Sequence, residues 1–270
     1  MTGSRMEPEG IATGRDDPFA HPAQGSVRIG TAGWVLPRAD QVAFPADGSH
    51  LERYAARFAG VEINSSFYRA HRRAVYQRWA ASVPGTFRFA VKVPRAITHD
   101  QRLIAADVLL DVFMEEVTGL GERLGPLLVQ LPPSLAFEAD RDDAFFAALR
   151  AVHGGEVACE PRHPSWFTSA AHALLVRHRV ARVAADPACV PDAALPGGVS
   201  SLVYLRLHGS PRMYYSSYHE ERLTSLGRTV RAHAASGAST WCMFDNTAGG
   251  AATGNALALR ASCAGAMPAR

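Results

Sequence analysis

Charged side chains stand near the ends of several short apolar segments of this sequence. They are Glu62, Lys92, Glu160, Asp186, Arg206, His208 and Asp245. Carboxylates set among cations can act as general acid and base, and an arginine can clamp an anion through paired N–H donors. Because burying charge is costly even when the charge is paired, stability alone would not favour so many in one place. The pattern indicates a functional site, with a purely structural network of ion pairs as the alternative.

Lys92 is the single lysine of the chain, beside 27 arginines. A lysine amine can act as a nucleophile or as a proton carrier. Nearby cations such as Arg162 and Arg206 would shift the amine toward its neutral form, whereas nearby carboxylates would shift it back. The sequence leaves the direction of the pKa shift open. The predicted catalytic residues are Lys92, Glu160, Arg206, His208 and Asp245.

A second set of residues, at or just beyond the ends of the same segments, is predicted to bind substrate. From position alone the set comprises Trp34, Glu62, Asn64, Ser66, Tyr68, Gln130, Arg162 and Asp186. Trp34, Tyr68 and Tyr214 could stack on a ring, a sugar or a base. Packing in the core is the alternative explanation for these aromatic residues. Trp166 could line the same pocket, and core packing explains it at least as well.

Eight short apolar runs bounded by glycine, proline or polar turns are typical of β-strands. They cover residues 28–34, 60–64, 87–93, 126–131, 155–160, 181–186, 202–209 and 239–246. Segments with helical spacing lie at about 74–82, 107–123, 140–152, 169–179, 219–235 and 250–260. The pairs Ser49 with Glu52 and Thr98 with Gln101 fit capping boxes that would begin two further helices.

This alternation predicts a single (β/α)8 barrel of the TIM-barrel type, because parallel strands need helical crossovers between them. A doubly wound sheet is the alternative. In a barrel the carboxyl ends of the strands converge on one mouth, and side chains alternate between two faces along each strand. Tyr204, Arg206 and His208 should therefore point inward. The predicted core includes Phe87, Phe89, Val91, Leu127, Leu128, Val129, Val203, Leu205 and Phe244.

The remaining composition sets the context of this domain. We predict a barrel domain over 27–262, a disordered N-terminal tail over 1–26 and a flexible C-terminal tail over 263–270. The net charge of +3 and the pI near 8.8 fall short of the dense basic clusters of nucleic-acid proteins. The four cysteines are widely spaced and include no C-x-x-C pair, and no apolar run is long enough to span a bilayer. A cytoplasmic protein without a membrane partner is predicted.

Eight blocks follow one another along the chain: IGTAGW, VEINSSFYR, FRFAVKVPRAITH, LGPLLVQLPPS, RHPSWF, YLRLHG, YYSSY and FDNTAGGAATGNAL. Together, over about residues 28 to 260, they resemble the domain of unknown function 72 family, the YecE-like proteins. The resemblance implies a TIM-barrel-like fold without an established activity. It also implies His99, His163 and Asn246 as polar site positions, which we add to the predicted substrate-binding set. One departure is Pro161, where the family usually has an apolar and often aromatic residue.

Three functions are compatible with these residues. The first is an enzyme, a hydrolase or lyase, that acts on a polar or anionic small molecule by acid–base chemistry. The second is a metal-dependent phosphodiesterase resembling endonuclease IV, although His99, His163 and His208 are its only plausible histidine ligands. The third is a non-catalytic module that binds nucleic acid or another partner through interleaved basic and aromatic residues, in 68–73 and 212–218. No cofactor is predicted, a divalent metal enters only with the second function, and the oligomeric state stays open.

Overall fold

The computed structural model describes residues 25–264. Its strands are β1 Val27–Thr31, β2 Gly60–Ile63, β3 Arg88–Lys92, β4 Leu124–Gln130, β5 Val157–Glu160, β6 Val180–Arg182, β7 Ala184–Asp186, β8 Gly197–Gly198, β9 Leu202–Leu207 and β10 Ser239–Phe244. Its α-helices are α1 His50–Ala55, α2 Arg73–Ala81, α3 Asp107–Val117, α4 Ala139–Val152, α5 Ser169–Arg177, α6 Glu220–Ala235 and α7 Ala251–Ala264. Strands and helices thus alternate through most of the described chain, as the sequence predicts.

Parallel pairing joins these strands into two sheets. One sheet has the order β1-β10-β9-β7 and the other β2-β3-β4-β5-β6-β8, in which the β6–β8 pairing is antiparallel. At one junction between the sheets, Ala32 forms a parallel bridge with Glu62, and the Gly33 amide donates to the Glu62 carbonyl oxygen at 2.8 Å. At the other, β6 and β7 follow one another with a single residue, Val183, between them. The chain is therefore an α/β fold built mainly from parallel strands.

Several local predictions are confirmed or corrected by this structure. Ser49 and Glu52 form the predicted capping box at the start of α1. The capping box predicted at Thr98 is wrong, because residues Ala96–Asp100 form a π-helix and the Thr98 hydroxyl bonds back to the Pro94 carbonyl, as inside a helix. The connection from β7 to β9 holds a short 3-10 helix, Pro191–Ala194, and β8 in place of an α-helix.

The buried residues form two layers that follow the alternation along the strands. Val203, Leu205 and Leu207 of β9 lie in the large cluster between strands and helices. Tyr204 lies instead in a second, smaller cluster on the other face of the strands, whose members are Ala90, Leu128, Ala158, Ala181, Val183, Leu202, Tyr204, Trp241 and Met243. All the residues predicted as core are buried. Along β9 the alternation therefore predicts correctly which side chains leave the helix-covered face.

The predicted tails lie almost wholly outside the described residues. α7 continues to Ala264, two residues beyond the predicted domain end at 262. Between residues 25 and 264, the structure contains no helix with the length and apolar character needed to cross a membrane.

Candidate functional site

Five strands bring ionisable side chains together in one buried cluster at their carboxyl ends. Glu62, Lys92, Glu160 and Arg206 lie on β2, β3, β5 and β9, and Asp245 follows β10 directly. Each of these five residues is at most 5% exposed. Parallel strands end at the same edge of a sheet, and their inward-facing side chains meet there. Residues far apart in the chain therefore become neighbours.

The guanidinium of Arg206 occupies the centre of the cluster. Its Nε and Nη2 donate to the two carboxylate oxygens of Glu62 at 3.0 and 2.7 Å. Its Nη1 donates to Glu160 Oε2 at 3.0 Å, and its Nη2 lies 3.0 Å from Asp245 Oδ2. Burial alone would lower the pKa of Arg206, but the carboxylates of Asp245, Glu62 and Glu160 raise this pKa well above its usual value. Tyr204 completes the arrangement by donating its hydroxyl hydrogen to Glu62 at 2.8 Å.

His208 bridges two of the same carboxylates. Its Nδ1 lies 3.0 Å from Asp245 Oδ2 and its Nε2 lies 2.8 Å from Glu160 Oε1. Both ring nitrogens lie within hydrogen-bond distance of a carboxylate oxygen, which favours the imidazolium, although Nε2 also lies 3.2 Å from Arg162 Nη2. Burial opposes this charge, but Glu160 and the two hydrogen bonds outweigh it and raise the pKa of His208. Arg206 and His208 in turn outweigh burial at the carboxylates, so the pKa of Glu160 is well below its usual value and that of Asp245 is lowered.

Arg162 reaches the same cluster from the segment that follows β5. Its Nη2 donates to Glu160 Oε1 at 3.0 Å, and its Nη1 lies 3.4 Å from the Tyr214 hydroxyl. The Tyr214 ring packs edge-on against His208 at 5.7 Å, and its backbone has a φ of +69°. A positive φ is strained for an aromatic residue, and such strain occurs often at functional sites. Arg162 is thus directed at the cluster even though Pro161 precedes it. The loop between β9 and α6, which carries Tyr214, covers one side of the cluster.

Lys92 differs from the other charged members of the cluster. Its side chain is 4% exposed and its Nζ lies 4.0 Å from the centroid of the Phe67 ring. Between residues 25 and 264 its Nζ forms no hydrogen bond or close ion pair with a carboxylate. Burial and the charge of Arg206 lower the pKa of Lys92 to about 8, against the opposing effect of the three carboxylates. The structure thus decides the sign of the shift that the sequence leaves open.

Two predicted substrate-binding amides stand on the strands next to Lys92. Asn64 directly follows β2, and its Oδ1 is buried without a hydrogen-bond partner. Gln130 ends β4, in register with Glu160, and is 7% exposed. In the described part of the chain neither amide group forms a hydrogen bond to another side chain, so both can bind a ligand.

Two other predicted residues support the local backbone. The Ser66 hydroxyl bonds to the carbonyl oxygens of Ile63 and Lys92 at 3.0 and 2.7 Å. His163 Nδ1 accepts from the Ser165 amide at 3.2 Å and thereby caps a 3-10 helix. Ser66 therefore fixes the backbone of Lys92, whereas His163 orders the segment after Arg162.

Asp186 and Asn246 do not join the cluster in the way the sequence predicts. The Asp186 carboxylate pairs with Arg222 of α6 at 2.7 Å. It faces outward because Asp186 is in register with Leu207, whose side chain lies on the helix-covered face, so the alternation along β7 puts Asp186 on that face too. The Asn246 amide nitrogen donates to the Ser216 carbonyl and to Asn255 Oδ1, both at 2.9 Å. Asn246 therefore fixes the loop after β9 to α7.

The predicted aromatic residues are spread over different surroundings. Trp34 is partly buried and packs edge-on against Trp79 of α2 at 5.0 Å, against the core rather than in the cluster. Tyr68 is 74% exposed. His99 packs edge-on against Phe67 at 4.9 Å, and burial together with nearby cations lowers its pKa. The Phe67 ring thus contacts both His99 and Lys92.

Sequence reasoning missed two residues that contact the cluster. Tyr204 lies two residues before Arg206 on β9, which indicates that both side chains share one face. An aromatic residue between apolar neighbours is, however, also typical of core packing. Phe67 lies inside the VEINSSFYR block, where nothing in the sequence indicates that its ring would lie against Lys92.

The arrangement of donors bears on the metal-dependent hypothesis. Within residues 25–264 no group of three or more His, Cys, Asp or Glu side chains is placed to hold a metal ion. The inner carboxylates accept from Arg206 or His208, and His99 Nδ1 lies 2.9 Å from the Thr98 hydroxyl. These side chains are engaged in ion pairs and hydrogen bonds with one another. Their arrangement therefore fits a cluster of metal ions poorly.

Open cavities lie away from the cluster. One of about 620 Å³ borders the start of α6, and one of about 460 Å³ lies at the amino-terminal ends of the strands, beside Ser239 and Leu202. Neither is lined by a predicted site residue. The ionisable residues of the first cavity, His219, Glu220, Glu221 and Arg228, are exposed, whereas those of the cluster are buried. Lys92, Asp245 and Gln130 are only 4%, 5% and 7% exposed, and the Arg162 side chain, at 17%, is more accessible.

Comparisons with known proteins agree with this architecture. The UPF0759 protein YecE of Escherichia coli is 30% identical over 142 residues, which cover 52% of this chain and 50% of that protein. YunF of Bacillus subtilis is 26% identical over 150 residues, covering 53% of this chain and 52% of that protein. The chain therefore spans about half the length of the curated relatives it matches.

Solved structures share the fold over nearly the whole chain. A DUF72 family protein from Enterococcus faecalis superposes with a TM-score of 0.74 at 18% identity, covering 91% of this chain and 97% of that one. Another from Thermotoga maritima gives 0.73 at 24% identity, covering 87% and 98%. The model of the family described as "Protein of unknown function DUF72" matches residues 28–269. The chain therefore belongs to the DUF72 family, the YecE-like proteins.

Proposed function

We propose that this protein is an enzyme that acts on a polar or anionic small molecule by acid–base chemistry. The site is the buried cluster at the carboxyl ends of the strands, and Lys92 is its reactive group. The observation that carries the proposal is the unpaired, buried amine of Lys92, whose pKa is lowered to about 8. A group that titrates near neutral pH can both accept and return a proton during turnover.

The alternative of a purely structural ion-pair network explains the cluster less well. Four cationic side chains, Lys92, Arg162, Arg206 and His208, face the three carboxylates of Glu62, Glu160 and Asp245. The other three cations each pair with a carboxylate, whereas Lys92 lies on the Phe67 ring. A buried charge without a partner costs stability. Lys92 is thus an excess cation beside the amide groups of Asn64 and Gln130, which form no hydrogen bond to another side chain of the described residues. Such an arrangement is expected of a site for an anionic ligand.

A closed (β/α)8 barrel is the fold that this site requires. Two observations support it: the bridge between Ala32 and Glu62 links β1 to β2, and the chain passes from β6 into β7 across a single residue. Closure would bring eight strands around the inner apolar cluster. Amide hydrogen exchange tests it, because the Gly33 amide, bonded to Glu62, should then exchange as slowly as amides inside the sheets. Fast exchange at Gly33 would mean that the two sheets separate at this edge.

Binding of nucleic acid without catalysis is the second candidate. It is supported by exposed aromatic residues near the cluster, with Tyr68 and Tyr215 at 74% and 49% exposure. Arg212 stacks on the Tyr215 ring at 4.0 Å. Phosphate contacts would make such binding fall steeply with salt. Fluorescence anisotropy with single-stranded oligonucleotides at two salt concentrations distinguishes this candidate.

A ligand screen with matched variants tests the main proposal. Thermal unfolding of the wild type is followed with a panel of small carboxylates, phosphates and sugar phosphates. We expect one class to raise Tm in the wild type and in Arg177→Gln, which removes only an exposed ion pair between α5 and Asp143 of α4. The same class should leave Tm of Lys92→Met unchanged, and its members should then be assayed for turnover by NMR. Equal Tm shifts in Lys92→Met would contradict a role for the amine.

A further inference from the structure

We propose that Lys92 forms a Schiff base with the carbonyl group of a small anionic aldehyde or ketone. This inference rests on the proposed function and names the substrate class of the same site. It depends on three features of the cluster: a largely buried amine that is not bonded to a carboxylate, an aromatic ring against which that amine packs, and an edge of Arg162 that is open to an anion.

The surroundings of Lys92 favour a nucleophilic amine. Its Nζ packs at 4.0 Å on the Phe67 ring, and neighbouring Arg206 is bound to Glu62, Glu160 and Asp245. Because Arg206 takes the carboxylates, none of them holds the amine in its ammonium form by direct contact. With a pKa of about 8, roughly a quarter of the amine is neutral at pH 7.5, against about one part in a thousand for an ordinary lysine. A desolvated lysine beside another cation is a recognised route to this reactivity.

The reaction balances without an oxidant or a reductant. The lone pair of Nζ attacks the carbonyl carbon and the C=O π electrons move to oxygen, which gives a carbinolamine. The two hydrogens of the amine end on this oxygen, the C–O bond breaks, and water leaves as the C=N bond forms. His99, which packs on the same Phe67 ring and whose pKa burial keeps below the usual value, is the candidate carrier of these protons.

The anionic part of the substrate follows from the charges that remain. Arg162 is the accessible cation of the cluster, with 17% of its side chain exposed, and its Nη1 makes only a long contact of 3.4 Å to Tyr214. A carboxylate or phosphate can bind this edge while Arg206 stays bound within the network. The amides of Asn64 and Gln130, on the strands to either side of Lys92, can bind the hydroxyl or carbonyl oxygens of the same molecule. A 2-oxo acid and a phosphorylated ketose fragment share this chemistry.

Reductive trapping tests the inference directly, because the chain has one lysine. The intact protein is incubated at pH 7.5 with pyruvate, dihydroxyacetone phosphate or acetone, each with sodium cyanoborohydride, and the adduct is located by peptide mass spectrometry. We expect labelling of Lys92 by at least one anionic carbonyl compound, on the order of 100-fold faster than in the same protein unfolded in urea. Faster labelling by pyruvate would indicate a carboxylate-bearing substrate, and faster labelling by dihydroxyacetone phosphate would indicate a phosphate-bearing one.

Variants separate the parts of the inference. Arg162→Met should slow labelling by the anionic probe about tenfold and leave labelling by acetone unchanged, whereas Arg177→Gln should match the wild type with every probe. Labelling of native Lys92 no faster than in unfolded protein would overturn the Schiff base. If Lys92→Met still lost ligand stabilisation in that case, the acid–base proposal would stand. If Lys92→Met kept that stabilisation, both proposals would fail.

Discussion

At the scale of single residues, Arg206 and Lys92 show two ways of burying a cation. Arg206 is fully buried, and each of its terminal nitrogens meets a carboxylate. Its planar group with five donors suits several acceptors at once. Lys92 is almost as buried but faces an aromatic ring. The first residue therefore holds the cluster together, and the second remains available for chemistry.

Arg206→Met should strongly destabilise the fold. The substitution would leave the carboxylates of Glu62, Glu160 and Asp245 buried with fewer partners, and breaking a buried pair in this way costs about 3–5 kcal/mol. The free energy of unfolding from urea denaturation measures the loss. Arg222→Gln, which breaks the half-exposed pair with Asp186, is the matched control and should cost less than about 1 kcal/mol. Similar losses for both variants would contradict the central role of Arg206.

Lys92→Met should instead stabilise the protein. The folded state holds the pKa of Lys92 at about 8, against an ordinary value of 10.5. Between these values the unfolded chain binds the proton more tightly, so the cost of burying Lys92 is full below pH 8 and disappears as the pH rises toward 10.5. We expect the variant to gain on the order of 3 kcal/mol at pH 7 and about half of that at pH 9.5. A loss of stability at pH 7 would assign Lys92 a structural role.

At the scale of elements, the strands leave room inside the fold for one large ring. Trp241 of β10 is 1% exposed and stacks parallel to Tyr204 of β9, with ring centroids 6.2 Å apart. Glycines on β2 and β4 make this space: a Cβ at Gly125 would lie 2.8 Å from the indole, and one at Gly60 would lie 3.2 Å from it. This apolar layer lies below the charged cluster and supports Arg206 and its partners from inside.

Gly125→Ala should therefore destabilise the chain by about 1–3 kcal/mol, because the added methyl overpacks the interior against Trp241. Gly85→Ala is the matched control, since a Cβ there would lie at an ordinary 3.7 Å from Arg123. Chemical denaturation should show a loss for the first variant and little change for the second. Tryptophan fluorescence should also change in Gly125→Ala alone. Equal stability of the two variants would be inconsistent with the packing described.

At the scale of the whole molecule, the cluster joins segments that span most of the chain. Glu62 and Arg206 are 144 residues apart in sequence, and Glu160 and His208 are 48 apart. These contacts form only when the strands have assembled, so their protonation is coupled to global folding. The free energy of unfolding should therefore change with pH as the ionisable groups of the cluster titrate together.

The cluster should contribute most to stability between about pH 4.5 and pH 6.5. The lowered pKa values of Glu160 and Asp245 give stability that is present above their ordinary values, 4.5 and 3.8, and that is lost as the pH falls through the folded values. The raised pKa of His208 gives stability that is present below 6.5 and is lost as the pH rises through its folded value. Urea denaturation from pH 3 to 8 measures this profile. The double variant Glu160→Gln/His208→Gln should give a flatter profile, and parallel profiles would contradict the coupling.

For most strands the sequence by itself determined which side chains lie inside the fold, but the direction predicted for Asp186 on β7 was wrong. Strand positions, the inward direction of Arg206 and the buried face of β9 follow from a period of two, which is a local property of the backbone. The same periodicity placed Glu62, Lys92, Glu160 and Asp245 at one end of the strands. Most helix positions were also predicted, because their spacing and caps are local. The π-helix at Ala96–Asp100 was missed, since it departs from that spacing.

Only the tertiary structure decided which of these charges pair. Asp186 pairs with Arg222 on the outside, Asn246 with a loop, and Lys92 with an aromatic ring, although their positions in sequence resemble those of the cluster members. Pairing depends on distances of a few ångströms between distant segments, and electrostatic energy changes steeply over such distances. The sequence pattern carries the direction of a side chain but no such distance. The direction of the Lys92 pKa shift, on which both proposals depend, therefore had to come from the folded chain.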